Sequence, residues 1–400
     1  MNSQVQLDAG AATDRKAVPV VRHGQLALLA ATFPLSGAVA ALLGPLLPVL
    51  IPRWSLSDAQ AGQFFIAQFI ACTLAAAASG WVTTHWRAPG CIGLAHLLMA
   101  LGVTGLGLAP HSAALACVGL YGAGMGLGIP AMNLLMAQHS PGREAGALSI
   151  LNMSWCIGAV AAPPLLAGLL QRMALGPVLG GLGALAAICG VAAFVGMRSP
   201  GADAKGKPGG SGKRRGAVLA RDAKMAAVWA GAFVFVYVGL ENGLTGWLPL
   251  FAQRNAGAGA GVAASFLSIF WTAMMTVRFG AGAFAGRLEP RRMLRLGVGI
   301  AIPALALLVL TRTPLQLAVC AVAAGLGMGT IFPSAMALFQ RRAGEASGQL
   351  IGYVFAGCSC GAAAIPWLVG VVSSVSGSLA WGLAATAVCA LALIPLERRL

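Results

Sequence analysis

Residues 237–251 read YVGLENGLTGWLPLF, and Glu241 is the only charged side chain between Met225 and Gln253. A carboxyl in a low-dielectric cavity takes up and releases protons near physiological pH. Proton or solute handling is therefore the first chemistry that Glu241 suggests. Two plainer uses remain open: capping of backbone broken around Asn242–Gly243, or an outer position that faces water. The chain has ten acidic residues, and the other nine fall in tails, loops or segment ends: Asp8, Asp14, Asp58, Glu144, Asp203, Asp222, Glu289, Glu345 and Glu397. Arg278 is the one basic residue inside an apolar segment.

Further side chains could contact a solute. Gln63, Gln68, Asn133, Asn152 and Asn242 supply amides, and Trp155, Trp271 and Tyr353 supply flat walls. Each has an alternative use as glue between helices. Trp54, Trp81, Trp86 and Trp381 fit aromatic belts at the membrane surfaces, and His96 falls in a segment expected to be peripheral. The nine cysteines are scattered through apolar stretches, and Cys358-Ser-Cys360 lacks metal or redox spacing. No disulfide, metal or cofactor is expected.

The elements that carry these residues follow from composition. Of 400 residues, 58% are apolar and 9% charged, with a mean hydropathy of +0.83. Soluble domains carry about 25% charged residues, so this chain lives in lipid. Twelve apolar segments reach membrane-spanning length: 24–51, 59–82, 91–110, 113–138, 144–170, 175–197, 224–252, 260–286, 293–311, 315–339, 346–373 and 378–396. Abundant glycine, 55 residues, suits close helix contact in lipid and speaks against a β-barrel. No cleavage pattern follows the first apolar run, which reads as a retained first helix. The expected fold is an all-α membrane protein whose twelve transmembrane helices form two six-helix, pseudo-symmetric bundles.

Charge orients the segments. Of the 26 Lys and Arg residues, 21 fall on the side that holds both termini, and only Arg53, Arg172, Arg254 and Arg312 on the other. The asymmetry predicts cytoplasmic termini. The net charge of +16 then reflects topology and attraction to anionic lipid headgroups, not nucleic-acid binding. Residues 198–223 read as a flexible cytoplasmic linker. Its GGSGKRR lacks the spacing, the Ser or Thr and the preceding strand of a phosphate-binding loop. The expected organisation is a tail, 1–23, a first bundle, 24–197, the linker, and a second bundle, 224–400.

Depth follows from helix rise. Glu241 lies 17 residues into its segment, roughly 25 Å, and Arg278 about 8 residues from the same side, roughly 12 Å. The gap of about 13 Å predicts no direct pairing. Arg278 is instead expected to snorkel towards the cytoplasmic face, bind helix-end carbonyls or an anionic group there, and act in a cytoplasmic gate with Arg287 and Arg291.

The halves also repeat. Gly124, Met125, Gly126 and Pro130 recur as Gly327, Met328, Gly329 and Pro333, and Gly158 and Pro163 recur as Gly361 and Pro366. With the basic central loop and the parallel repeats, the chain resembles the major facilitator superfamily from about residue 24 onward. GAFAGRLEPRRM (282–293) is similar to that superfamily's basic loop signature, and GWVTTHWRAPG (80–90) keeps Gly80, Arg87 and Gly90 of it. The stretches 237–249, 270–288 and 148–166 resemble helices 7, 8 and 5 of the fucose permease-like sugar:proton symporters, at Gly239, Glu241, Trp247, Arg278, Asn152, Gly158 and Pro163. The acidic residues which that branch carries in helices 1 and 4 have no counterpart here.

Duplicated bundles place a site at the midplane between repeats, and an ionisable group at depth marks a pathway by default. The resulting expectation is a monomeric secondary transporter in a bacterial inner membrane, with protons carried by Glu241. Its solute would be small and organic, held by Gln68, Asn133, Asn152, Trp155, Asn242, Trp271 and Tyr353. Symport is favoured over proton-antiport efflux of an amphipathic compound. One acid at depth supplies no convergent catalytic set, so neither an enzyme nor a receptor is expected.

Overall fold

The computed structural model describes residues 23–140, 143–197, 221–283 and 289–400. The expected tail to residue 22, most of the linker (198–220) and Arg287 lie outside them. No strand occurs among the described residues. The first half comprises α1 (His23–Ala40), α2 (Leu43–Trp54), α3 (Asp58–Leu108), α4 (His111–Gln138), α5 (Glu144–Leu170) and α6 (Leu175–Gly196). The second comprises α7 (Arg221–Asn255), α8 (Ala260–Ala263), α9 (Ser265–Ala283), α10 (Pro290–Leu308), α11 (Pro314–Ala343), α12 (Ser347–Ser376), α13 (Leu379–Leu391) and α14 (Leu393–Glu397).

These helices make twelve crossings in two six-helix bundles. Nine described helices are each long and apolar enough to cross a membrane, and α1 with α2 form a tenth span, bent by 41°. The 51-residue α3 would measure about 77 Å if straight, over twice the hydrocarbon thickness. It turns back at Arg87, where the backbone takes φ 59° and ψ 165°, and so crosses twice. Arg291, Arg292 and Arg295 keep α10 below the apolar threshold, but its place beside α11 makes it the remaining crossing.

The first span is not the single straight helix that 24–51 suggests. Pro45 has no N–H to give the Ala41 carbonyl, and its ring crowds that carbonyl, so the chain bends at Ala41–Leu42. The bend turns the small residues Ala40, Ala41 and Gly44 towards the centre of the molecule.

Alternate glycines knit each bundle. Successive i, i+2 residues face opposite sides of a helix. Accordingly Gly122 and Gly126 of α4 abut the backbone of Gln68 and Cys72 on the first arm of α3, while Gly124 abuts Ala95 on the second arm. In α11 the pattern recurs: Gly325 and Gly329 abut Phe270 and Met274 of α9, and Gly327 abuts Gly297 and Ala301 of α10. A Cβ at any of these would run into backbone. Gly158 meets the Pro34 carbonyl, and Gly361 meets that of Phe235, in the equivalent α1–α5 and α7–α12 contacts. Pro130 and Pro333 are each the twentieth residue of their helix. The sequence repeat is thus a repeat of packing.

Candidate solute and proton site

Prolines create polar anchors around the molecular centre. Pro333 carries no N–H, so the Gly329 carbonyl of α11 lacks its helical donor. Arg278 Nε of α9 donates to that carbonyl at 3.3 Å. Pro164 likewise frees the Val160 carbonyl of α5, and the Ser268 hydroxyl of α9 donates to it across the two halves at 2.5 Å.

Glu241 joins this frame through α7. The Tyr237 hydroxyl, one turn before it, lies 2.7 Å from Glu241 Oε2 and 2.9 Å from the Met328 carbonyl, which share its single proton. Arg278 Nη2 stands 3.8 Å from the same carboxylate oxygen. That is about 1 Å beyond a charge-assisted hydrogen bond, so the pair is loose. The Glu241 side chain is 15% exposed and that of Arg278 33%.

The pairing corrects the expectation from helix rise. Arg278 does not lie a membrane leaflet away from Glu241, nor does it snorkel out of reach. At 35 residues, α7 spans about 52 Å, far more than the hydrocarbon core requires. Its first turns overhang, and counting from its end overstates the depth of Glu241. An arginine side chain in a helix also leans towards the N-terminus, here back towards Glu241. The capping alternative fails: α7 is unbroken through Asn242–Gly243, and the Thr245 hydroxyl donates to the Glu241 carbonyl at 2.7 Å in an ordinary back-bond.

Five expected residues come together. Gln68, Trp155, Glu241, Asn242 and Trp271 line one cavity of about 180 Å³ between the halves, closed on one side by the bent Ala40–Gly44 segment. The two indoles meet edge to face, with ring centroids 5.7 Å apart and planes at 78°. Most polar groups here are already occupied. Gln68 accepts from the Tyr121 hydroxyl and donates to the Met125 sulfur. The Asn242 amide donates to the Val238 carbonyl. Trp271 differs: its buried indole N–H has no acceptor.

The other expected residues lie elsewhere. Asn133 and Asn152 do not line the cavity; their amides turn back to the Ile129 and Leu148 carbonyls of their own helices. Tyr353 is exposed and also outside it. Arg291 is half-buried in the first turn of α10. His96 is fully buried within the first bundle, against Gly190, away from the cavity.

Two groups escaped sequence reasoning. Tyr237 is one of three tyrosines and stands four residues before Glu241, a spacing that puts both on one helix face. Asp58, at the start of α3, reads as an ordinary helix-start acid. It instead accepts two contacts from Arg254 Nη1 of α7, at 2.7 and 3.0 Å, and one from the Ser373 hydroxyl of α12, at 2.5 Å. Beside it, the Ala59 N–H donates to Ser374 Oγ at 2.8 Å. This latch joins the halves at the end that holds Arg254. At the opposite end, where α7 begins, neither α4 nor α5 makes extended contact with α11 or α12 among the described residues.

Two bundles that meet around a central cavity and are latched together at one end have the architecture of an alternating-access carrier. The sequence model of the Major Facilitator Superfamily matches residues 28–366. The chain belongs to the Major Facilitator Superfamily. Among solved structures, this facilitator is similar to a bacterial homologue of the human lysosomal transporter Spinster in an inward-facing, unoccupied conformation: TM-score 0.74, 15% identity, 95% of this chain and 97% of that one. It is also similar to the nucleoside transporter NupG, with TM-score 0.72, 16% identity and coverage of 94% and 99%. FucP in its outward conformation gives 0.61, 18%, 93% and 97%. At such identities the likeness shows the fold alone. No curated protein matches the chain in sequence.

Proposed function

We propose that this facilitator is a secondary active transporter that moves a small organic solute with protons, in a bacterial inner membrane, with both termini in the cytoplasm and anionic headgroups around its basic loops. One observation carries the reading: the Glu241 carboxylate faces the cavity between the halves and is held, among the described residues, by Tyr237 and a loose contact to Arg278. A carboxyl so placed can lose Arg278 and gain a proton without unravelling its helix. Gln68, Trp155, Asn242 and Trp271 form the solute cradle. Arg278 couples it to α11, whose movement would open or close the cytoplasmic mouth, with Arg291 at the start of α10 and Arg287 of the preceding sequence as further parts of the gate. Asn133, Asn152 and Tyr353 are not part of the cradle. The apolar lining also suits a second reading, antiport efflux of an amphipathic compound.

The test is Glu241→Gln in proteoliposomes. Gln mimics the protonated acid but cannot exchange a proton. Uptake driven by a pH gradient should fall by an order of magnitude or more, while solute counterflow survives. An E241Q protein that still concentrates solute on a pH gradient refutes the proton-carrier role. Reversing the gradient in the same assay separates import from efflux.

A further inference from the structure

The charges of Glu241 and Arg278 cancel only while Glu241 is ionised. Proton loading of Glu241 leaves the Arg278 guanidinium without a counter-charge, two-thirds buried and anchored to the Gly329 carbonyl. The other titratable groups facing the pair are the Tyr237 hydroxyl of α7, Cys156 of α5 and Cys358 of α12. None of them supplies a negative charge in place of Glu241 near neutral pH. A guanidinium two-thirds covered and without a counter-charge is less stable than the paired one, its exposed third being solvated, so the proton-loaded site favours an anion.

We propose that the transported solute is a small organic monoanion with an apolar, ring-sized body, of the monocarboxylate class. Its anionic group takes the place of Glu241 at Arg278, beside the cavity wall, and its body lies in the cavity against the edge-to-face pair of Trp155 and Trp271. The inference rests on the transport reading above and adds the substrate class to it.

Three observations favour an anion over the alternatives. Trp271 lies two turns before Arg278 on α9 and lines the cavity, and its indole N–H is buried without an acceptor, so a small turn of the ring would present a donor to an anion. An ammonium compound brings donors only, and Arg278 repels it. A sugar brings many hydroxyls, whereas Gln68, Thr245 and the Asn242 amide each already spend a donor inside the protein. Each unmatched hydroxyl loses a hydrogen bond to water. Size points the same way: a cavity of about 150 Å³ accepts a benzene ring, and this one measures about 180 Å³.

Proton and anion then bind together. The anion binds best when Glu241 has taken a proton, and the proton is held best when the anion has taken Arg278. By reciprocity each raises the affinity for the other equally. One proton and one monoanion cross as an electroneutral pair, so membrane potential alone drives nothing.

The test uses the full chain and ligands in matched triplets: carboxylate, carboxamide and ammonium on the same ring-sized and branched aliphatic bodies. Thermal stabilisation is read first, then counterflow with benzenesulfonate, which has no membrane-permeant acid form near neutral pH. Carboxylates should stabilise the protein at least tenfold more tightly than their carboxamides, and ammonium members not at all. Arg278→Gln should weaken carboxylate binding tenfold or more. E241Q should keep that binding and lose its pH dependence. Carboxamides or amines that bind as well as carboxylates, or a panel in which no carboxylate binds, overturn the inference. Gradient-driven uptake of a neutral or cationic ligand that still depends on Glu241 would overturn it while leaving the transport reading intact.

Discussion

Replacing Asp58 by Asn removes the charge at the centre of the latch that seals one end of the cavity. The Asp58 side chain is 10% exposed and Arg254 39% exposed. The latch includes two short contacts from Arg254 and one from Ser373. A hydrogen bond to a charged group contributes about 1.5–3 kcal/mol, but an exposed partner lowers the value of an ion pair to about 0–1 kcal/mol. Asp58 is mostly covered and Arg254 half-exposed, so about 1–2 kcal/mol is the reasonable range between those limits. With about 1.4 kcal/mol per tenfold change, Asp58→Asn should shift the sealed-to-open equilibrium roughly 5- to 30-fold towards open. Arg254→Gln should do more than D58N. It leaves Asp58 a buried carboxylate without its cation, whereas D58N leaves only a half-exposed guanidinium that water can solvate. Electron–electron spin-resonance distances between labels at Met173 and Val375, both exposed, on a background without native cysteines, would read the populations. Unchanged distance distributions in both variants refute the latch. A larger effect of D58N than of R254Q refutes the reasoning about burial.

Three further outcomes are expected. Pro333→Ala restores an N–H to the Gly329 carbonyl in competition with Arg278 Nε; solute affinity should fall several-fold while thermal stability holds or rises, as ligand titration and melting curves will show. Gly158→Leu drives a side chain into the Pro34 carbonyl where α1 crosses α5, so folded yield by size-exclusion chromatography should collapse, whereas Gly180→Leu, with open space around it, should be tolerated. Cysteines placed at Ser211 and Arg398 should react with impermeant reagent only from the cytoplasm, and one at the exposed Ala260 only from outside; labelling of Ser211 in intact cells refutes the proposed orientation.

Sequence alone determined the membrane class, the twelve crossings and the twofold repeat, because each is written in local composition. Apolar length sets a crossing, and the recurrent glycines of α4 and α11 record where backbones touch. The isolation of Glu241 among apolar residues was equally legible, since an uncompensated carboxyl in lipid is costly and marks a pathway by default, though a capping or water-facing use stayed open. Tertiary structure alone decided its neighbours. Arg278 is 37 positions away in sequence, and its depth depended on how far α7 overhangs and which way a long side chain leans, neither of which helix rise records. The latch was still less visible, because Asp58 and Arg254 sit 196 residues apart at helix ends where charges are usual. Ion pairs form where two helices happen to bring side chains to one height, and that height is set by packing of the whole bundle.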